Sequence, residues 1–200
     1  MNLSVPTSTA IDDLKATLRR EALARREALP ADVRAAAAQA IAARPFPVAV
    51  PAGAIVSGFM PMKSEINPLP QMRALADAGA ALALPAVAGK GKPLVMRAYA
   101  LGEPLASGVW GIREPSSEAP QVFPDILLVP LLAFDRRGHR IGYGAGYYDM
   151  TIAGLRAMKT VLAVGIAFAA QETAQVPTTP RDARLDLVLT ENEVIDFRAT

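Results

Sequence analysis

An apolar run over residues 126–134 leads within a few positions into Arg140, Ile141, Gly142, Tyr143, Gly144, Ala145, Gly146, Tyr147, Tyr148 and Asp149. The run has the length and content of a central strand covered on both faces. Glycines at alternate positions let the following backbone curl with φ > 0 and leave no side chain in front of its N–H groups. Successive inward N–H groups form a concave anion site. Just upstream, Asp135, Arg136, Arg137, Gly138, His139 and Arg140 add three guanidinium groups and the only histidine. Just downstream, Asp149 offers an oxygen that a magnesium ion can share with phosphate. Strand, glycine loop and carboxylate in this order predict a nucleotide-phosphate site. The same glycines would also serve a tight strand-to-helix turn, and neither the dinucleotide fingerprint nor the P-loop pattern can be read here.

The rest of the chain supplies a scaffold for such a loop. Ile11, Leu14, Leu18 and Ala22 share one helical face, with Thr9 and Asp12 spaced as a capping box. Pro30 bends or restarts this long N-terminal helix, and an alanine-rich helix over residues 32–43 is stopped by Pro45. Residues 54–59 read as a strand, Asn67 and Pro68 as a helix start, and Gly79 as its end. Residues 81–87 and 94–99 read as strands around a turn at Gly89 to Lys92, and residues 102–124 as loop. A helix over 147–158 and strands over 160–168 and 185–189 complete the pattern. Strands alternating with helices predict a three-layer α/β/α sandwich, one domain over residues 1–200, with a mostly parallel central sheet. In such sheets ligands sit beyond the carboxyl ends of the strands, where the glycine loop falls.

Composition narrows the classes of activity. At 52% hydrophobic and 20% charged, the chain can bury a sizeable core. A net charge of +2 argues against a nucleic-acid partner. Without cysteine there is no disulfide framework and no thiolate metal site, and one histidine excludes a His-rich centre. The longest apolar run, residues 161–170, is far below the roughly 20 residues of a bilayer span, and the first ten residues lack the order of a signal peptide. The expectation is a soluble, cytoplasmic monomer acting on small molecules, with no membrane partner.

Several other residues have two readings each. Lys15, Arg19 and Arg26 share a helical face, which is ordinarily a solvated stripe. Glu65 stands between a strand end and a helix start, where a carboxylate commonly serves the cap. Asp186 adjoins an apolar strand and has arginines within reach. Met60, Met62 and Trp110 are by default core or rim. His139 suits a turn as well as catalysis, and Tyr147 and Tyr148 suit a helix-packing role.

Taken together, these segments resemble the 5-formyltetrahydrofolate cyclo-ligase family, also called methenyltetrahydrofolate synthetases. Val129, Pro130, Leu131, Leu132, Ala133, Phe134 and Asp135, then Gly138 and residues 140–149, resemble the family hallmark. Residues 15–19, residues 59–66, residues 110–115 and residues 185–188 match lesser landmarks in the same order. The resemblance implies ATP- and Mg²⁺-dependent closure of 5-formyltetrahydrofolate to 5,10-methenyltetrahydrofolate, with release of ADP and phosphate. It implies ATP contacts at Lys15, Arg19, Arg140, Ile141, Gly142, Tyr143, Gly144, Ala145, Gly146, Tyr147 and Tyr148. It implies folate contacts at Met60, Glu65, Trp110, Tyr143, Gly144, Gly146 and Tyr147, and metal ligands at Asp149 and Asp186. Arg140, Tyr147 and Asp149 are the residues it implies for catalysis. Tyr143 and Ala145 depart from relatives that carry an arginine and a lysine or glycine there, with Arg136 or Arg137 as candidates to restore the charge. Two other activities compete: a sugar-phosphate isomerase on a similar scaffold, and a folate- or nucleotide-sensing homologue without turnover.

Overall fold

The computed structural model describes residues 8–198, apart from the side chains of Ser8 and Trp110. Two helices open the chain, α1 (Ser8–Glu27) and α2 (Ala31–Ala42), separated at Pro30, whose missing N–H and fixed φ suit a restart. Thr9 already lies inside α1, so it does not cap that helix. Strand β1 (Ile55–Ser57) follows, then helix α3 (Leu69–Asp77), entered as the Asn67 side-chain oxygen accepts the Leu69 N–H at 3.0 Å. Gly79, at φ 96°, reverses the chain out of α3 into β2 (Ala81–Ala86), which forms an antiparallel hairpin with β3 (Val95–Ala98).

Residues 102–124 are loop, as expected, but carry a small pair, β4 (Ala106–Ser107) and β5 (Arg113–Glu114), around a 3₁₀ turn. The apolar run 126–134 is not one strand. It divides at Pro130 into the central strand β6 (Ile126–Val129) and the short β7 (Ala133–Phe134), which pairs antiparallel with β8 (Arg140–Ile141). Proline lacks the N–H that a ladder requires, so the sheet ends there and the chain turns away. Helix α4 (Tyr147–Met158), β9 (Leu162–Ile166), β10 (Leu187–Leu189) and β11 (Val194–Asp196) complete the fold.

The seven-stranded sheet has the order β11-β10-β9-β6-β1-β2-β3. The five inner strands are parallel, and β3 and β11 close the edges antiparallel. Side chains alternate across it. Leu128, Val164 and Leu187 pack with Ala38 and Ile41 of α2 and Met72 of α3 on one face. Leu127, Val129 and Val188 pack with Ile152 and Leu155 of α4 on the other. These are the three layers expected. Helix α1 covers neither face; it lays Leu18, Ala22 and Leu23 on the β7–β8 hairpin.

From β1 the chain crosses by way of α3 to β2, and from β6 by way of α4 to β9, on opposite sides of the sheet. The carboxyl ends of the neighbours β1 and β6 therefore diverge and leave a crevice. At the rim of β1, Gly58 permits α3 to approach closely: a Cβ there would lie 2.1 Å from Met72 Sδ. Gly58→Ala should lower the stability measured by urea unfolding by about 1–3 kcal/mol through overpacking. Combined with Met72→Ala it should cost less than the sum of the two single changes; strict additivity would mean that the contact does not constrain the fold.

Candidate active site

The crevice is a cleft of about 370 Å³ at the carboxyl ends of β1, β2 and β6. Its floor is Phe59 and Met60 after β1, Val87 after β2, and Pro130 after β6. One wall is the glycine loop and the start of α4; facing it are Asp12, Lys15 and Arg19 of α1.

The loop owes its shape to its glycines. Gly144 has φ 102°, and its α-carbon faces Arg19 so closely that a Cβ would stand 3.2 Å from the guanidinium carbon. Gly146, at φ 71°, ends the loop in the left-handed region immediately before α4. Arg19 Nε donates to the Gly142 carbonyl at 3.0 Å, which ties α1 to the loop. The first N–H groups of α4 have no acceptors within the helix and add a positive end to the cleft wall.

At one end of the cleft charged groups converge from four chain segments. Arg140 Nη2 donates to Asp149 Oδ1 at 2.8 Å, and Arg140 Nη1 donates to the Ala183 carbonyl. The same Asp149 oxygen accepts the Ala183 N–H at 3.0 Å. Burial lowers the pKa of Arg140, with Asp149 and Asp182 pulling the other way. Lys15 Nζ pairs with Asp182 Oδ2 at 2.6 Å. Burial pushes the Asp182 carboxyl up, yet Lys15 and the N–H and hydroxyl of Thr179 outweigh it and hold it below the ordinary aspartate range. The bonds formed by Asp149 and Asp182 fall on one oxygen of each carboxylate. Among the described residues no three acidic or histidine side chains cluster as a metal cage. The donor set suits a hard cation that brings further oxygens with it, as magnesium does when it arrives on phosphate.

The other end is largely apolar, lined by Met62, Pro85, Leu94 and Ile112 with Arg113 and Glu114 beside them, and it holds the carboxylate of Glu65. Glu65 is buried, and its Oε2 accepts the Met62 N–H at 2.8 Å. Burial raises its pKa, opposed by the Met62 bond, the charge of Arg26 and the Tyr143 hydroxyl. Tyr148 has its hydroxyl buried without a hydrogen-bond partner among the described residues, and burial, then Glu65, raises its pKa. Anion-binding backbone N–H groups at one end and a buried carboxylate among apolar side chains at the other let a single cleft hold two different ligands end to end.

The 5-formyltetrahydrofolate cyclo-ligase family model matches residues 11–191. The chain belongs to this family. It is 32% identical over 187 residues to the 5-formyltetrahydrofolate cyclo-ligase of Mycolicibacterium smegmatis, covering 88% of this chain and 93% of that one. It is 31% identical over 148 residues to the enzyme of that name from Escherichia coli K12, covering 71% and 80%. The solved structure of Aquifex aeolicus 5,10-methenyltetrahydrofolate synthetase superimposes with a TM-score of 0.75 at 28% identity, covering 92% and 93% of the two chains.

Most residues singled out in the sequence meet in this cleft. Met60, Glu65, Lys15, Arg19, every residue from 140 to 148, and Asp149 line it. Asp186 does not. It precedes β10, at the amino ends of the parallel strands and so across the sheet from the cleft, where it accepts the Ala163 N–H and pairs with Arg156 at 2.7 Å. The second carboxylate that acts on Arg140 together with Asp149 is instead Asp182. Arg136 and Arg137 do not restore the charge missing at Tyr143. Arg136 is clamped by Glu172 and Glu193. Arg137 lies against Asp135, whose buried carboxylate also accepts the His139 and Val176 N–H groups and makes His139 a turn residue. The guanidinium beside Tyr143 comes from α1: Arg26 Nη2 donates to the Tyr143 hydroxyl at 2.6 Å. Trp110 lies in the turn Val109–Gly111, with its side chain outside the described residues. Arg26 was visible as the third member of the Lys15 and Arg19 stripe; for Asp182 the only local signal was its place in the proline- and threonine-bounded loop before β10.

Glu65 offers a pH test. Its pKa is raised, so the ionised form that accepts hydrogen bonds is lost as pH falls through a value above the ordinary glutamate value of about 4.3. Affinity for a ligand that donates hydrogen bonds here should fall with acidification through that elevated value, and Glu65→Gln should abolish this limb. An acid limb unchanged in Glu65→Gln would assign it to another group.

Proposed function

We propose that the protein closes 5-formyltetrahydrofolate to 5,10-methenyltetrahydrofolate at the expense of ATP. The observation that carries this reading is the continuity of the cleft: residues of the loop 140–149 line its charged end and its Glu65 end alike. A γ-phosphate held at one end and a formyl group carried by a pterin at the other would meet beside this loop.

The chemistry asks little of the protein except alignment and charge neutralisation. The formyl oxygen attacks the γ-phosphorus, and ADP leaves. The oxygen, now part of a phosphate ester, becomes a competent leaving group. N10 attacks the formyl carbon, the C–O bond breaks, inorganic phosphate departs, and N10 loses its proton to give the methenyl bridge. No covalent enzyme intermediate is needed, in keeping with a chain that has no cysteine. Backbone N–H groups of residues 142–147, Lys15, Arg19 and Arg140 are suited to hold the phosphates and the charge that moves between oxygens. Tyr147 lies on the first turn of α4 and lines the cleft. Glu65 is suited to accept the N–H donors of the pterin, with Met60 against the ring. Asp149 and Asp182 would hold Mg²⁺ together with the phosphates, and the ion would offset their charge. Small molecules are the partners in this reading, and the protein acts as a cytoplasmic monomer. Among the described residues no helix is long and apolar enough to cross a membrane.

Mixing the purified protein with 5-formyltetrahydrofolate and Mg²⁺ and following methenyl absorbance tests the reaction. Growth is expected only with ATP present; growth without ATP, or none with it, contradicts the proposal. Binding of folate without turnover would favour the sensing homologue. Asp149→Ala is a poor probe, because stranding the buried Arg140 costs about 3–5 kcal/mol of stability. Asp149→Asn keeps an oxygen for Arg140 while removing the charge, and is expected to lower kcat by about 100-fold or more with a smaller loss of melting temperature than Asp149→Ala. Lys15→Met should raise KM for ATP by about tenfold, the loss of one charge-assisted contact. Wild-type kinetics in both variants would remove these residues from the phosphate end.

A further inference from the structure

Arg26 is the most deeply buried cation among the described residues, with 1% of its surface exposed. Its nearest polar partners are not carboxylates. Nε donates to the Ser64 hydroxyl at 3.1 Å, and Nη2 to the Tyr143 hydroxyl at 2.6 Å, with the guanidinium carbon 5.6 Å from the centre of the Tyr143 ring. Nη1 is buried without a hydrogen-bond partner among the described residues. A buried guanidinium so incompletely satisfied is costly for the fold, and a well-packed apolar side chain would serve α1 at least as well. What the arrangement does supply is a positive charge behind Glu65.

Having accepted a hydrogen bond from Arg26, the Tyr143 hydroxyl keeps its own proton to donate, and it lies against the Glu65 carboxylate. Ser64, the residue beside Glu65, is held by the same guanidinium. Arg26 thus grips the strand-end segment at residue 64 and, by way of a hydroxyl, the carboxylate at residue 65. We propose that Arg26 is a positioning residue of the cleft, which acts through Tyr143 to keep Glu65 charged and aimed at the N–H donors of the folate substrate. The inference rests on the folate reading of the Glu65 end.

The groups facing Glu65 are Arg26 from α1, Tyr143 from the glycine loop, Tyr148 from α4 and the Met62 amide from its own turn. Arg26 is the one cation among them. Burial drives the carboxyl toward protonation, and Arg26 and the hydroxyl are the side chains that oppose it. A protonated Glu65 would present a donor where the pterin also presents donors. Tyr143 itself is 47% exposed, and Tyr143→Phe keeps the ring while removing the hydroxyl that joins Arg26 to Glu65.

The test uses the full-length protein with Tyr143→Phe and Arg26→Lys, followed by steady-state kinetics and by direct titration with 5-formyltetrahydrofolate in the absence of ATP. Tyr143→Phe is expected to weaken folate binding and raise its KM by about tenfold, the value of one charge-assisted hydrogen bond, with KM for ATP altered less than about twofold. The acid limb of kcat/KM for folate should move toward higher pH by about one unit. Arg26→Lys, which retains the charge, should move that limb less than Tyr143→Phe. In a Glu65→Gln background, Tyr143→Phe should have no further effect on folate KM. Independent, multiplying losses in the double variant, or an unmoved acid limb with intact folding, would overturn the role given to Arg26 while leaving the reaction untouched. A wild-type protein that binds folate but forms no product would overturn the reaction alone, and unchanged folate affinity in Tyr143→Phe would then still decide against Arg26.

Discussion

Arg140 has 8% of its surface exposed and carries a charge that must be met where it lies. It is met from two directions, by Asp149 in the first turn of α4 and by the Ala183 carbonyl in the loop before β10. Asp149 binds back to the Ala183 N–H, so the hairpin and the helix start close on a loop 34 residues further along the chain. The β7–β8 hairpin, the amino end of α4 and the loop that carries Asp182 thereby hold fixed positions around one end of the cleft. Removing the Asp149 charge leaves the buried Arg140 unmatched, the situation in which a pair matters most to stability.

The glycine loop runs between this anchor and α1. Its two left-handed glycines let the backbone turn where Cβ atoms would meet Arg19 or distort the entry to α4. Because Arg19 holds the loop by the Gly142 carbonyl and Arg26 holds it by the Tyr143 hydroxyl, α1 acts as a brace along its outer side. This accounts for a long first helix that belongs to neither layer of the sandwich. The charged end of the cleft depends on the Arg140 anchor and the apolar end on the Arg26 brace. The loop between them is the one element common to both, so a displacement in it would be felt by nucleotide and folate together.

Much of this was legible in the sequence because it follows from local rules. The layers, the parallel centre of the sheet, α4 and the hairpin of β2 and β3 come from periodicity and from glycine and proline punctuation. The loop 140–149 announced itself by composition. What was not legible depended on direction in space. The apolar run 126–134 looked continuous because Pro130 hides among apolar neighbours, yet it ends the strand and sends β7 to pair with β8. Asp186 and Asp182 stand four positions apart, and only the sheet shows that one lies at the amino ends of the strands and the other over the cleft. Arg136 and Arg137 neighbour the hallmark in sequence but turn outward around Asp135. Arg26 looked like the tail of a solvated stripe and is instead buried, since its helix face is covered by the loop and by residue 64.

The central claim is that the amides of residues 142–147, with Lys15, Arg19 and Arg140, hold the phosphates of a nucleotide. A crystal structure with a non-hydrolysable ATP analogue and Mg²⁺ tests it most directly. The account predicts phosphate oxygens within hydrogen-bonding distance of those N–H groups, and the ion between them and the carboxylates of Asp149 and Asp182. Nucleotide bound away from the glycine loop, or an ion held at Asp186, would contradict it.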